Sequence, residues 1–526
     1  MLNNTFEGLP EPVIKYINSL EEQINRLNEL LRLAQKARFG SSSEKARYIL
    51  EDGLEQVYIF NEAEVFADED APEPVIVQQH QRKPKRTKEE LAKDLPVKEV
   101  IIDIPEDERI CNICKGELHL IGKELVRREL GIIPAQAYVI ETYQMNYACD
   151  DCEKETEQAN IIKPEVPVPV VKRGLASPSS IAYTMYQKYA NAMPLARQES
   201  DWKTFGVILS RATLANWIIY ASLNWLLPLW YALKAILLTS PVILADESVI
   251  QVLDEPGKTP QSESRMWVYC TGNVPRPPPV VLFEYQPSRA GEHPKAFLKG
   301  AQNFYLLTDA YAGYNAVEGA IHCACFAHTR RRFEEAMPKN APADNSARIG
   351  FEFCQELFML ERKFEKLSPE ERLIQRHKQS KPVLDKFYKW IETVHPLAGS
   401  KLAQAIGYAV NQKKTLSSFL LDGCIEISTN RIENCIRPFS VGRKNYLFAA
   451  TVNGARASAI AYSIIESARK NGLNPFQYLL HLFTELPTVL TKNPNADLSP
   501  FFPWSDVVQK KCKYAQDLKG QLRLFQ

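Results

Sequence analysis

The sequence lacks an excess of charge of either sign, and it also lacks long apolar runs. Its 526 residues include 64 Lys and Arg against 63 Asp and Glu, which gives a net charge of +1. This balance argues against a generally basic DNA binder, so any contact with nucleic acid has to come from local patches. No run of about eighteen uncharged apolar residues and no N-terminal signal pattern is present. We therefore expect a cytoplasmic protein with no membrane partner.

Cysteine is scarce, with 11 residues in the chain, and a reducing compartment argues against a disulfide framework. Four of them form two Cys-x-x-Cys pairs that can hold one tetrahedral Zn²⁺, with free thiols as the alternative. The gap between the pairs leaves room for a small sheet containing residues 138–143. We therefore predict a structural zinc-binding module over residues 99–160. Its predicted ligands are Cys111, Cys114, Cys149 and Cys152.

The N-terminal segment has the apolar spacing of a coiled coil. Apolar residues from Val13 to Ala34 alternate spacings of four and three, which would pair two chains. Only about three heptads are present, so a helix packed on its own chain is the alternative. We assign residues 10–50 to this helix and the FGSSSEK segment after it. Residues 51–98, acidic and then basic, are predicted to be a charged linker, whose basic run at 82–86 either contacts DNA or is solvated.

A helix-turn-helix is predicted over residues 174–225. Gly206 supplies a turn, and Ser210 is a suitable N-cap for the helix that follows. The predicted helices cover residues 178–190, 195–205 and 211–217. A recognition helix places its N-terminal side chains on base edges, and an ordinary helical hairpin is the alternative. The candidate base-contacting residues are Arg211, Thr213 and Asn216.

Three separated acids carry the main indication of chemistry. Asp246 and Asp309 each follow a short apolar run, typical of a buried strand that delivers the acid at its end, and Glu433 lies in a polar stretch. A lone Asp after a strand is usually a turn residue or helix cap. Three gathered carboxylates, however, repel each other unless cations lie between them, and Mg²⁺ prefers oxygen ligands. The pattern therefore suggests a metal site that cuts phosphodiesters.

The region around these acids predicts a sheet followed by helices. The predicted strands cover residues 241–253, 265–271, 279–285 and 303–309, with a helix at 294–299. Asp246 and Asp309 would lie side by side if their strands are neighbours in this sheet. Residues 334–425 have helical periodicity and would form an insertion before Glu433 arrives on its own helix, where it shares a face with Arg437.

Five ordered blocks resemble the insertion-sequence transposases of the IS66 family, over about residues 15–487. The blocks are Asp246-Glu247, TDAYAGYN at 308–315, CFAHTRRRF at 325–333, STNRIENCIRP at 428–438 and GRKNYLF at 442–448. One departure is present, because Ser428-Thr429-Asn430 stands where the family usually has Asp-Asn-Asn. Only Asn430 of that trio is kept.

The resemblance implies an Asp-Asp-Glu site in an RNase H-like fold. In that site Asp246, Asp309 and Glu433 would hold two Mg²⁺ ions, for which Mn²⁺ can substitute. It also implies zinc in the Cys-x-x-Cys module, DNA as the partner at the element ends and the target, and small accessory proteins. The predicted accessory residues are Cys325, His328, Asn430 and Arg437. The residues predicted to contact DNA near the site are Arg331, Arg443 and Lys444.

Cys325 and His328 are open to two interpretations. A Cys-x-x-His pair after the second Asp recurs in related transposase groups, which favours a positioning element near the site. Alternatively, two cysteines and a histidine simply end a buried strand. A further zinc ion is the least favoured interpretation, because only Cys323, Cys325 and His328 are evident as ligands.

The expected fold class is a multidomain α/β plus α protein, since 526 residues exceed what one core usually holds. An RNase H-like catalytic core over residues 238–470 would contain the all-helical insertion, and a helical tail would cover 471–526. The predicted function is a Mg²⁺-dependent transposase that cleaves and transfers DNA strands, works as a homo-oligomer, and is nucleoid-associated when bound to DNA. The alternatives are an inactive DNA-binding repressor of its own element, favoured by the Ser428-Thr429 departure, and an RNase H-like nuclease or resolvase.

Overall fold

The computed structural model describes residues 101–103, 105–109, 113, 115–125, 135–149 and 160–514. The predicted coiled coil, the charged linker, three of the four zinc-ligand cysteines and the end of the helical tail lie outside these residues. In the predicted zinc module, strand β1 (Tyr147–Cys149) pairs antiparallel with β2 (Asn160–Ile162).

The prediction of a strand within residues 138–143 is wrong, because these residues form no strand. Residues 138–143 are mostly of types that favour strands, but they are exposed to solvent: Tyr138 and Val139 are 73% and 84% exposed. Strand preference of this kind depends on packing against a neighbour. Nothing among the described residues covers these side chains.

A six-stranded mixed sheet lies at the centre of the structure. Its strands are β3 (Val242–Asp254), β4 (Glu263–Thr271), β5 (Val281–Gln286), β6 (Phe304–Thr308), β7 (Ala320–Ala324) and β8 (Phe448–Thr451). The order across the sheet is β5-β4-β3-β6-β7, and β8 pairs with the second half of β3. Strand β4 is antiparallel to both of its neighbours, whereas β3, β6, β7 and β8 run parallel. The predicted adjacency of the strands before Asp246 and Asp309 is therefore confirmed.

Strand β3 confirms the strand predicted at 241–253 to within one residue, so the expectation that Asp246 lies at the end of its strand is wrong. Strand β3 continues for eight residues beyond Asp246, to Asp254. The continuation persists because Gln251 still pairs with Glu263 on β4, and Asp254 then pairs with Thr451 on β8. Asp246 consequently lies inside the sheet, between the part of β3 that pairs with β6 and the part that pairs with β8.

In the part of the chain that the structure describes, four α-helices precede the six-stranded sheet, and the three predicted helices are among them. They are α1 (Pro178–Met185), α2 (Leu195–Thr204), α3 (Arg211–Ala221) and α4 (Leu227–Leu237), with π-helical turns at Tyr186–Ala190 and Ser222–Leu226. Ser177 and Ser180 form a capping box at the start of α1. The Ser210 hydroxyl accepts from the N–H of Thr213 at 3.1 Å and so starts α3 as expected. Gly206 has φ +82°, which a residue with a side chain rarely adopts.

The predicted helical insertion is present between β7 and Glu433. Helix α5 (Glu292–Phe297) comes earlier, between β5 and β6. The helices after β7 are α6 (Phe326–Ala336), α7 (Ser346–Lys363), α8 (Pro369–Gln375), α9 (Lys381–Thr393), α10 (Lys401–Asn411) and α11 (Lys413–Leu416). An aromatic cluster joins α6 to the insertion, since the Phe333 ring lies 6.0 Å from those of Phe387 and Trp390. A π-helical turn at Arg376–Ser380 connects α8 to α9.

The last helices cover the sheet and extend beyond it. They are α12 (Asn430–Tyr446), α13 (Val452–Lys470), α14 (Pro475–Lys492) and α15 (Asp506–Lys511). Helix α13 supplies hydroxyl groups to the edge strand β5: Ser463 accepts from the N–H of Phe283 at 2.7 Å, and Ser467 accepts from that of Val281 at 3.0 Å. These bonds satisfy backbone groups that an open sheet edge would leave unpaired. Among the described residues, none of the helices combines the length and apolarity needed to cross a membrane.

Glu284 on β5 makes the stability of this region dependent on pH. Burial raises the pKa of its carboxyl group to about 7 from an ordinary 4.5, against opposing contributions from Gln286, Lys234 and Arg456. Between pH 4.5 and about 7, the Glu284 carboxyl group is therefore protonated in the folded chain and ionised in the unfolded chain. The resulting stabilisation is complete below pH 4.5 and is lost as the pH rises through 7. As the pH rises from about 5 to 8, we expect the free energy of unfolding to fall less for Glu284→Gln than for the wild type. The measurement is the midpoint of urea unfolding at each pH.

Candidate active site

Asp246 and Asp309 lie side by side at the centre of the sheet. Leu244 pairs with Leu307 in the parallel register of β3 and β6, so two residues further on Asp246 faces Asp309. Residues opposite each other in register point to the same side of a sheet. The N–H of Tyr311 donates to the Asp309 carboxylate at 2.9 Å, which folds the chain back directly after β6. The two carboxylates therefore meet on one face.

Glu433 approaches the same position from the first turns of α12. Its carboxylate is half-buried, and the Thr429 hydroxyl lies 2.8 Å from one of its oxygens. Burial raises the pKa of Asp246 well above its usual range, and the carboxylates of Glu247, Asp309 and Glu433 raise it further. Such an effect requires charges within a few ångströms. The three acids thus converge from two strands and one helix.

Thr429 joins Glu433 to Cys325. Besides the contact with Glu433, the Thr429 hydroxyl lies 3.1 Å from the Cys325 sulfur, and the Thr429 N–H donates to that sulfur at 3.2 Å. A hydroxyl has one hydrogen, so when it donates to Glu433 it can accept from the Cys325 thiol. Sequence reasoning missed Thr429 as a site residue, although it is one of the two positions where the chain departs from the family block.

Cys325 and His328 lie close to Glu433, at the start of α6. Their sulfur and nitrogen ligand atoms lie within 4.8 Å of one another and of a Glu433 carboxylate oxygen. Burial raises the pKa of Cys325, but His328 and Thr429 outweigh burial and hold it below its ordinary value. Burial lowers the pKa of His328, yet Cys325, Glu433 and Asp309 raise it overall. The third member of the predicted cysteine-histidine group, Cys323, instead directs its thiol to the Ile321 carbonyl at 3.5 Å.

Glu247 forms a second polar cluster that the sequence interpretation missed. Its side chain is 3% exposed and accepts from Arg289 at 2.6 Å and from the Tyr314 hydroxyl at 2.7 Å. The Arg289 guanidinium also lies 3.9 Å from the centre of the Tyr311 ring. Glu247 thereby ties the loop after Asp309 to β3. The available sequence signal was the acidic pair Asp246-Glu247, of which only the first member was considered.

The remaining predicted residues are distributed over three helices. Asn430 and Arg437 are exposed on α12 with Glu433, and Arg331 is exposed on α6. Arg443 is half-buried near the end of α12, donates to the Val249 carbonyl, and is followed by the half-buried Lys444. Arg211 and Asn216 are exposed on α3, whereas Thr213 is half-buried and its hydroxyl lies 3.0 Å from that of Ser210. The base-contacting candidates are thus on a different element from the acids.

Comparison with protein-family models shows which family this chain resembles. The model described as Transposase IS66 family matches residues 173–457, more than half of the chain. The chain belongs to the IS66 transposase family. Three further models match other parts: the zinc-finger binding domain of transposase IS66 at residues 108–153, the IS66 C-terminal element at 463–504, and Transposase C of IS166 homeodomain at 26–100. The predicted resemblance is confirmed, and membership in a transposase family implies DNA as a partner.

Curated relatives extend this likeness over most of the chain. "Uncharacterized protein y4hP" of Sinorhizobium fredii (strain NBRC 101917 / NGR234) is 27% identical over 511 residues, which cover 93% of this chain and 88% of the relative. From the same strain, "Uncharacterized protein y4qI" is 28% identical over 507 residues, covering 93% and 90%. "Uncharacterized protein y4jD" is 29% identical over 429 residues, covering 79% and 81%. Sequence similarity to these relatives thus spans 79–93% of this chain.

Proposed function

We propose that the chain is a DDE transposase that cleaves the ends of its insertion sequence and transfers the freed strands to target DNA. The observation that carries the proposal is the convergence of Asp246, Asp309 and Glu433, whose charges act on one another. A structural role alone does not account for this group, because gathered buried carboxylates are unfavourable without a cation. In a transposase family, phosphodiester chemistry is the natural use of such a site.

The sheet supports an RNase H-like core. Its order is β5-β4-β3-β6-β7 with only β4 antiparallel to its neighbours, and two of the acids come from the central strands. The third acid comes from a helix that packs beside β3 and follows the helical insertion. These features agree with the fold that the family resemblance implies.

The chemistry of the donor set fits Mg²⁺, with Mn²⁺ as a substitute. Asp246, Asp309 and Glu433 supply only carboxylate oxygens, the ligands that hard divalent ions prefer. Two ions held by these residues would supply Lewis-acid polarisation of the phosphodiester and activation of the attacking oxygen. Burial and, after it, the neighbouring carboxylates raise the pKa of Asp246, and a bound cation would offset both effects.

The residues of the chain would bind and orient the reacting groups. The Thr429 hydroxyl holds one oxygen of Glu433 and so restricts the orientation of its carboxylate. The cluster of Glu247, Arg289 and Tyr314 fixes the loop that follows Asp309. Direct transfer at phosphorus from an attacking hydroxyl requires no covalent intermediate with the protein.

We propose that exposed basic side chains hold the DNA against this site. Arg331 and Arg437 are exposed on α6 and α12, the helices that carry His328 and Glu433, and guanidinium groups match phosphate geometry. Lys444 extends the same charge toward the end of α12. Arg211, Thr213 and Asn216 on α3 would read the element ends, while zinc held by the Cys-x-x-Cys pairs would organise the N-terminal module. The heptad segment would pair two chains, and accessory proteins of the element would join the complex.

The proposal is tested by incubating purified chain with duplex DNA carrying an element end, a target plasmid and Mg²⁺. We expect nicks that expose a 3′ hydroxyl at the end, followed by end-to-target joints, and neither product in EDTA. Nicks without joints would favour a nuclease or resolvase. Retarded DNA without cleavage would favour the repressor interpretation that the Ser428-Thr429 departure suggests.

The role of the Thr429 hydroxyl group can be tested by a single substitution. Thr429→Val keeps the shape of the side chain but removes the hydroxyl that contacts Glu433 and Cys325. Loss of a hydrogen bond to a metal-binding carboxylate typically costs about 10–100-fold in metal affinity or activity, so we expect cleavage to fall by about tenfold or more. The measurement is the cleavage rate across a Mg²⁺ titration. Thr393→Val is the control, because the Thr393 hydroxyl donates to the Trp390 carbonyl of its own helix. An equal loss in both variants would contradict the assignment.

A further inference from the structure

Cys325, His328 and Glu433 form a ligand group distinct in chemistry from the all-oxygen set. It contributes one sulfur, one nitrogen and one carboxylate oxygen within 4.8 Å of one another. Cys325 immediately precedes α6, and His328 lies in its first turn, so the Cys-x-x-His spacing turns both side chains toward the first turns of α12. The ligand that sequence analysis could not supply is Glu433, which replaces Cys323 in the group.

One nitrogen of the His328 ring is unsatisfied by the residues that the structure describes. The Nδ1 atom of His328 is buried, and no hydrogen-bond partner reaches it among the described residues. A buried polar atom without a partner is costly, and an ion is one of the ways in which native proteins satisfy it. The Cys325 sulfur is already oriented by the Thr429 N–H and hydroxyl, the kind of outer contact that orients metal ligands.

The donor set selects a borderline or soft ion over a hard one. Thiolate and imidazole together favour Zn²⁺, and three protein ligands with a water in the fourth position make an open tetrahedral site. Zinc bonds of about 2.0–2.3 Å place tetrahedral ligands roughly 3.3–3.6 Å apart. The ligand atoms lie within 4.8 Å of one another, so small rotations of the half-buried His328 and Glu433 side chains suffice to reach this spacing.

We propose that Cys325, His328 and Glu433 form a second zinc site that withdraws Glu433 from the three-acid site. Binding of Zn²⁺ itself depends only on these three side chains. Its regulatory consequence rests on the proposed function: a Glu433 carboxylate turned toward Cys325 and His328 no longer completes the Mg²⁺ set. Zinc would thus hold the transposase in an inactive state, and Mg²⁺ alone would not displace it, because Mg²⁺ binds thiolate and imidazole poorly.

The site is tested first by counting zinc in the full chain. Wild type and variants are equilibrated with Zn²⁺, freed of unbound metal, and analysed by atomic absorption. We expect the wild type to retain one zinc ion per chain more than Cys325→Ser or His328→Asn, because the Cys-x-x-Cys pairs are unchanged in all of them. Cys323→Ser is the matched control, since that thiol is also buried but bonds to Ile321 outside the group. Equal zinc content in the wild type and the two folded site variants would overturn the proposal.

The consequence is tested by cobalt spectroscopy and by inhibition. Replacing zinc by Co²⁺ should give the wild type additional thiolate-to-cobalt absorption that Cys325→Ser lacks and Cys323→Ser keeps. In the cleavage assay, Zn²⁺ should inhibit the wild type at least about tenfold more strongly than Cys325→Ser, each relative to its own zinc-free rate. Equal inhibition of both would contradict competition for Glu433. A chain that binds the extra zinc but never cleaves DNA would refute the proposed function and leave the zinc site standing.

Discussion

Asp309→Ala is expected to reduce strand cleavage by on the order of 10³-fold, the size of loss seen when one group that stabilises developing charge is removed. The reason is position: Asp309 faces Asp246 across the parallel pair of β3 and β6, so its loss removes one of three oxygen donors from the site. Binding to the element ends should remain within about twofold, because the proposed end-reading residues lie on α3. Cleavage is measured on labelled duplex DNA and binding by gel retardation, both in the same Mg²⁺ buffer.

The matched control for this experiment is Asp254→Ala. Asp254 is also a β3 aspartate, but it is exposed and lies at the end of the strand, eight residues from Asp246. Its substitution should leave cleavage within about twofold of the wild type, as for most surface changes. If Asp309→Ala cleaved as well as Asp254→Ala, the three-acid site would not be the catalytic centre.

Arg376→Met is expected to have the largest effect on stability, about 3–5 kcal/mol, the usual cost of removing one partner from a buried ion pair. The Arg376 side chain is fully buried and pairs with Glu361 through two bonds of 2.8 and 2.7 Å. It also donates to the backbone carbonyls of Phe419, Asp422 and Ile425 at 2.8–2.9 Å. Methionine fills similar space but leaves these acceptors without a donor.

Arg376 also bears on the site, because those carbonyls belong to the segment that leads to Thr429 and Glu433. Urea unfolding followed by circular dichroism gives the shift in midpoint, and cleavage at low temperature reports the effect on the site. Lys381→Met is the control: its ion pair with Asp385 lies on the surface, with side chains 50% and 55% exposed, and is worth about 0–1 kcal/mol. Similar destabilisation by the two substitutions would contradict the role assigned to Arg376.

The parts of the fold that the sequence predicted are those with strong local patterns. The apolar runs before Asp246 and Asp309 formed β3 and β6, and Ser210 capped α3 at the expected residue. Adjacency of the two strands was expected from the RNase H-like sheet that the family resemblance implies. The extent of β3 was predicted to within one residue, but its pairing with β8 was not, because the β8 residues are about 200 positions further along the chain.

The parts of the site that the sequence did not predict depend on contacts between distant segments. Thr429 meets Cys325 across 104 positions, and Glu247 meets Tyr314 across 67. Neither spacing has a periodicity that a single sequence can reveal. Residue types alone also do not separate Cys325 from Cys323, which shares the Cys-x-Cys spacing but directs its thiol to a backbone carbonyl. Which side chain joins a cluster is decided by the face of the strand or helix on which it lies.

Movement of the complete element in cells tests the central claim most directly. A marked element is supplied with this chain or with its Glu433→Ala form, and marker transfer to a target plasmid is counted. We predict that the wild-type chain transfers the marker, despite Ser428 and Thr429, and that Glu433→Ala at equal protein level gives no transfer above background. Equal transfer by both proteins would contradict a three-acid transposase, whereas no transfer by either, with end binding intact, would support a repressor.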